Sequence, residues 1–439
     1  MKRVAILLLA LLMSIVLMAC GSNSSSKEAN ENNIKVVYID WDGMNTKHLT
    51  AAKEEFEADN PGVTIELSPQ VGNTADYNTK TALMLQSDDS IDIMFLDSFQ
   101  VPSLVSSGYL HELPVTEWED WSTQYSDNVK LGVTVKDGVY AIPISTDTRG
   151  LYYHIDVFNE VGIPVPWEPK SWDDIMEAIE ILHNNDIAYP LWMFASAAQG
   201  ESTSIQTIQM FLSGTGDPLI ENDQWLGNSK GLYDTLEFIE NLSASGIYSN
   251  SQLSEMLDTN AWQTGVSKFP ETGEIGIYLD GNWRGSDWKA VFGDEVTERI
   301  GVTPMPKQNG DGFTTMSGGW TFAVSEKSTN PDLAFEFMKV LNNRDNALIY
   351  ANEIGSMTPR NDTMELTEYK EVNPYRYEMS SYLEFTNYRP GNDFYTSVST
   401  ELQVAIESVI TGQRTAREAL DIYSQNVKSI VGSGNYVEK

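Results

Sequence analysis

Two short stretches combine residue types that could hold a ligand: Asp280–Trp283 (DGNW) and Ser317–Trp320 (SGGW). Each follows an apolar, strand-like run and sets a tryptophan just past glycine or asparagine. Glycine lets a backbone turn sharply and come close to a ligand, and Gly319 is the candidate for that approach. A tryptophan at such a corner, Trp283 or Trp320, presents a flat face at the mouth of a cleft. With carboxylates such as Asp280 beside it, the pair suits a ligand with alternating C–H faces and hydroxyl edges, which is the surface of a sugar. The alternative is that both tryptophans are core residues, since this side chain is highly buried on average.

Other chemistries leave less trace. Glycoside hydrolysis needs two facing carboxylates, but with 63 acids in the chain a pair somewhere is uninformative. No Gly-x-Ser-x-Gly, His-Glu-x-x-His, P-loop or dinucleotide fingerprint occurs. A secreted glycoside hydrolase is the alternative from another class. A cleft for a non-sugar solute is the alternative within the same class. His48, His111, His154 and His183 show no paired ligand spacing. The Asn309–Gly312 turn resembles part of a calcium loop but would put Lys307 and Gly318 at the first and twelfth ligand positions, so no metal is expected there. No cofactor is expected either. A net charge of −35 argues against nucleic acid, whose affinity comes from Lys and Arg neutralising phosphates. The single cysteine, Cys20, excludes an internal disulfide.

Positioning such a site takes two lobes, the natural organisation for 439 residues. Ile34–Ile39, Val63–Leu67 and Ile91–Leu96 read as strands, separated by helices over His48–Asp59 and Tyr77–Gln86. That alternation predicts a parallel sheet flanked by helices. Ligands of such sheets sit beyond the carboxyl ends of strands, which selects Trp41 and Asp97. Val135–Ile144 reads as a hairpin turning at Asp137-Gly138. Ser171 with Asp174 predicts a capped helix over Trp172–His183, with Trp172 on its apolar face. Ile187–Phe194 reads as a strand that could bring Trp192 to the cleft, and Ser204–Leu212 and Lys230–Leu242 as helices. Gly273–Leu279 and Met316–Ser325 are strands, and Pro331–Leu341, Ser397–Ile410 and Ala416–Val431 are helices.

Lys2 and Arg3 precede an apolar run from Val4 to Ala19, the layout of a signal peptide over residues 1–19. It ends Leu17-Met18-Ala19-Cys20, which resembles the lipobox of bacterial lipoproteins. The resemblance implies cleavage before Cys20 and acylation of its thiol and amine, so that the protein is extracytoplasmic and anchored to the cell membrane by lipid. The alternative is a chance cysteine in an ordinary signal peptide. Residues 20–33 then form the lipidated cysteine and a flexible polar tether.

Several segments, in order, resemble the family 1 extracellular solute-binding proteins of ABC transporters. These are Phe56–Val63 (FEADNPGV), Asp92–Asp97 (DIMFLD), Leu104–Leu113 (LVSSGYLHEL), Ser145–Asn159 (STDTRGLYYHIDVFN), Gly301–Leu341 and Gly355–Arg360 (GSMTPR). Tyr388–Tyr395 (YRPGNDFY) further resembles disaccharide-binding members. The resemblance implies an α/β fold of two lobes, each a mainly parallel sheet flanked by helices, with the ligand cleft between them. It implies a first lobe over 34–145 plus 299–326 and a second over 147–297 plus 331–439. The expected protein is not an enzyme. It is a carbohydrate receptor, a monomer, that delivers its ligand to the permease subunits of an ABC importer. By the same resemblance Trp283 stacks on the ligand and Asp147 points into the cleft. Arg149 either joins it or forms a hinge salt bridge. Arg389 either hydrogen-bonds the sugar or pairs with a nearby acid such as Asp393.

Overall fold

The computed structural model describes residues 32–72, 74–87 and 91–439. The leader, Cys20 and most of the tether lie outside them. None of the described helices is long and apolar enough to cross a membrane.

The first sheet runs Thr64–Gln70, Asn33–Ile39, Ile93–Asp97, Trp320–Val324, Ala141–Pro143. Its first three strands are parallel, and Trp320–Val324 runs antiparallel to both neighbours. Ile93–Leu96 is buried throughout, as a strand covered on both faces must be. The helix Met44–Asp59 lays Leu49, Ala52 and Phe56 on one side of this sheet.

The second sheet runs Ile300–Thr303, Arg149–His154, Ile275–Gly281, Tyr189–Trp192. Arg149–His154 is antiparallel to both neighbours, because the chain enters this lobe there from the other one. The remaining pair is parallel. In both sheets the majority direction brings carboxyl ends to the boundary between the lobes, and Arg149 and Trp320 begin there. The helix Trp172–Asn184 starts with the expected reciprocal cap of Ser171 and Asp174 and buries Trp172.

Two expected boundaries move. Ile300–Thr303 belongs to the second sheet, not the first lobe. The helix Pro331–Leu341 belongs to the first lobe, because its apolar face (Ala334, Phe335, Phe337, Met338, Leu341) is buried in that core, with the Phe337 ring 5.2 Å from that of Phe56. Arg344–Ile354 follows it there through Ala347 and Tyr350. The expected strand Met316–Ser325 is in fact two strands, Phe313–Ser317 and Trp320–Val324, in different sheets. The glycine pair between them is a crossing between lobes.

Those crossings are stitched together. Ile144 and Ser145 donate their amides to the Trp320 carbonyl, and the Trp320 amide donates to Ser145 Oγ at 2.9 Å. Thr146 bridges Met357, which follows the helix Arg344–Ile354. Gly319 sits at φ +144°, and a Cβ there would meet the Ser145 carbonyl oxygen at 2.1 Å. Only glycine lets these two chains approach so closely.

Candidate functional site

Five of the expected residues meet at the first lobe's strand ends and the adjoining crossings. Trp320 lies opposite Asp97 in the sheet. Its ring stacks on Phe95 at 4.7 Å and 7° and takes the edge of Trp41 at 4.9 Å. Trp41 and Trp320 are both half-buried, so each keeps part of its ring exposed. Asp147 Oδ1 accepts from the Gly318 amide at 2.8 Å and from Arg149 Nη1 at 2.5 Å. Gly319 makes the backbone approach just described.

Arg149 is buried and also donates to the Met316 carbonyl at 2.9 Å. Its Nε has no hydrogen-bond partner. The half-buried Trp283 ring lies 5.2 Å from this guanidinium. Ring and cation therefore sit together at the second lobe's strand end, where the cation meets the negative face of the indole.

Arg389 crosses the boundary. It follows the short strand Thr386–Tyr388, which pairs with Phe313–Ser317 on the second-lobe side. Its Nη2 donates to Asp97 Oδ1 at 2.5 Å and its Nη1 to Glu201 Oε2 at 3.3 Å. Its guanidinium lies 4.3 Å from the Phe99 ring. The expected partner among nearby acids is thus Asp97 and Glu201 rather than Asp393. Burial pushes the Asp97 carboxyl up from its ordinary range, against the pull of Arg389. Asp147 and Glu201 push it the same way as burial.

Two expected site residues are elsewhere. Trp192 is fully buried in the second core, where its indole packs 4.9 Å from Tyr189, so it offers no face to a ligand. Asp280 is also fully buried. It accepts from the Gly281 amide at 2.7 Å and from Arg284 Nε at 2.6 Å. It fixes the turn that carries Trp283, because a buried carboxylate must find donors. Burial raises its pKa, and Arg284 opposes that shift.

Glu201 carried no warning in the sequence. Glu201 lies in a polar loop whose partners are almost two hundred residues away. Asn282 was passed over within DGNW. It is buried, and its side-chain oxygen takes the Thr148 amide at 3.2 Å while its carbonyl takes Asn373 Nδ2 at 2.8 Å. It ties two crossings together. Among the described residues no group of His, Cys, Asp and Glu could hold a metal ion.

What this arrangement can do is bind. It offers aromatic faces, hydrogen-bonding acids held by arginines, and a glycine corner, all between two lobes. A family model described as bacterial extracellular solute-binding protein matches residues 51–374. The maltodextrin-binding protein MdxE of Bacillus subtilis is 21% identical across 98% of both chains. The maltooligosaccharide ABC transporter solute-binding lipoprotein of Streptococcus pneumoniae is 24% identical over 78% of this chain and 76% of its own. Maltose-bound MalE3 of T. maritima superposes with a TM-score of 0.77 at 20% identity, covering 91% of this chain and 100% of that one. The GacH receptor of Streptomyces glaucescens does so at 0.75 and 18%, covering 92% and 100%. At such identities the superpositions establish the two-lobed fold.

Proposed function

Because the chain belongs to the bacterial extracellular solute-binding protein family, we propose that it captures a di- or oligosaccharide between its lobes and delivers it to an ABC importer. The observation that carries this reading is the platform of Trp41, Phe95 and Trp320 beside Asp97 and Asp147. Sugar rings pack on the indole faces. Hydroxyls donate to the acids and accept from Arg149 Nε, a buried donor with no protein partner. A cleft built on such bonds discriminates well, since a ligand lacking one hydroxyl leaves a buried group unpaired. Trp283 adds a second stacking face from the other lobe, and Arg389 lies between them.

Cys20 carries the lipid in this reading, and residues 21–33 are the tether that lets the receptor reach the permease subunits. The receptor acts as a monomer.

Isothermal titration against a saccharide panel tests the proposal. Maltodextrins and maltooligosaccharides come first, given the relatives' names, followed by trehalose, sucrose, cellobiose and xylobiose. A polyamine and a peptide pool are the outsiders. Micromolar or tighter binding of one saccharide supports it. Binding of an outsider with silence from every saccharide overturns it.

A further inference from the structure

Residues that follow strands of different lobes meet at one place outside the stitched crossings. The segment Asp97–Pro102 leaves the end of a first-lobe strand. The segment Arg389–Tyr395 leaves a strand on the second-lobe side. They touch four times. Arg389 binds Asp97 and lies over the Phe99 ring. The Phe99 ring packs 5.3 Å from that of Tyr395. A Cβ on Gly391 would meet Pro102 Cγ at 2.8 Å, so the Gly391 backbone lies against the Pro102 ring.

We propose that these two segments form an interlobe clasp, with Arg389 as its pin and Glu201 as the residue that positions the pin, which holds the empty cleft partly shut.

Glu201 is built for that task. Its Oε2 accepts from Arg389 and from Tyr395 Oη at 2.9 Å, and its Oε1 from Ser399 Oγ. Ser399 in turn bonds Ser204 Oγ at 2.6 Å, and Gln403 donates to Ser204 at 2.9 Å. Ser204 opens a single π-helical turn, Ser204–Ile208. Such turns are rare and are frequent at functional sites. All these groups are in the second lobe, so Arg389 keeps Glu201 when the lobes part.

The pairing also makes the clasp reversible. Breaking a buried ion pair is costly when it strands a charge out of water. Here separation strands none, since Asp97 gains water and Arg389 retains Glu201. With the lobes together the guanidinium serves both acids through its planar fork, a geometry lysine lacks.

The test needs no ligand and so stands apart from the identity of the solute. With Cys20→Ser the chain has no cysteine, and dyes can be placed on V71C and V291C, exposed positions in the first and second lobes. Single-molecule energy transfer then reads the interlobe distance of the unliganded protein. Arg389→Gln should lower the closed fraction about tenfold or more, because Asp97 and Glu201 then face each other unpinned. Glu201→Gln should lower it less, and Arg389→Lys should not restore it. Phe99→Ala should shift it the same way. An unchanged distance distribution in folded Arg389→Gln overturns the clasp. If that variant does not fold, Phe99→Ala decides: a shift towards open supports the clasp and no shift overturns it.

Discussion

Trp320→Ala and Trp192→Ala should separate binding from folding. Trp320 is half-buried and makes two ring contacts, with Phe95 at 4.7 Å and Trp41 at 4.9 Å. Removing a fully buried tryptophan costs about 3–5 kcal/mol. A half-buried one should cost about half, or about 2 kcal/mol. The backbone at this point is secure without the side chain. Residue 320 pairs with Asp97, donates to Ser145 Oγ, and accepts from the amides of Ile144 and Ser145. Alanine keeps every one of these bonds. The fold therefore persists, while the open face of the platform is lost. Loss of an anchoring aromatic costs about 2 kcal/mol of binding, which is about a 30-fold weaker Kd.

Trp192 predicts the reverse. It is fully buried, and a Cβ on Gly265 would meet its Nε1 at 2.5 Å, so it has no freedom to reach a ligand. Trp192→Ala should lose about 3–5 kcal/mol of stability and leave the Kd of the folded fraction unchanged. Denaturant melts and titration calorimetry on both variants decide the matter. If Trp320→Ala unfolds the protein while its residual folded fraction binds normally, the indole is core and the platform argument fails. If Trp192→Ala weakens binding with little loss of stability, the burial argument fails.

Three further outcomes follow from the geometry. Gly319→Ala puts a methyl group into the Ser145 carbonyl at a φ that other residues rarely adopt, and should cost about 3 kcal/mol; Gly434→Ala, with open space around it, should stay within about 0.5 kcal/mol by the same melt. His48 is fully buried against the Leu341 carbonyl, and burial pushes its pKa down to about 4. Its folded pKa lies below the unfolded value, so the unfolded chain binds the extra proton and stability is lost as pH falls from about 6.5 to about 4. That loss should be about 3 kcal/mol, and the stability gap between wild type and His48→Gln should shrink by that amount over the same range. Cys20→Ser should release the protein from the membrane with its ligand affinity unchanged, read by fractionation and titration; tight membrane retention would refute the lipid anchor.

Local pattern carried most of the fold. The helix Ala416–Val431 has the bounds read from the sequence because Thr415 and Glu418 cap it reciprocally and its apolar residues repeat on one face. The places of Trp41 and Asp97 were legible because strand ends fall where apolar runs stop. Trp192 could have been placed in the core. Its run, Tyr189 to Ala195, never alternates with polar residues, which is the mark of a strand covered on both faces. Asp280 also had a warning, since Arg284 stands four residues on and claims it. The glycine pair misled because an apolar run on either side looks like one strand. Whether a chain changes sheets at Gly318–Gly319 depends on Ser145, which is distant in sequence. Glu201 had no local mark at all. Its three donors come from Arg389, Tyr395 and Ser399, and charge-pairing over such distances has no period in a sequence.

The two kinds of interlobe contact imply a division of labour with a cost in affinity. Asn282, Asn373, Ser145 and Met357 join the crossings through buried bonds to backbone groups that a rotation about the hinge can leave intact. Asp97 and Arg389 join side chains, which come apart without stranding a backbone donor. A ligand held by both lobes binds only the closed form, so its apparent Kd is the intrinsic value divided by the closed fraction. A clasp that keeps one molecule in ten closed therefore weakens binding about tenfold relative to a permanently shut receptor, and losing the clasp down to one in a hundred weakens it about tenfold more without removing any contact to the ligand. If Phe99 acts through the clasp alone, affinity losses there should equal the fall in the closed fraction measured without ligand. Losses at Arg389 should exceed that fall if its guanidinium also bonds the sugar. An affinity loss at Phe99→Ala with an unaltered closed fraction would break this link between closure and binding.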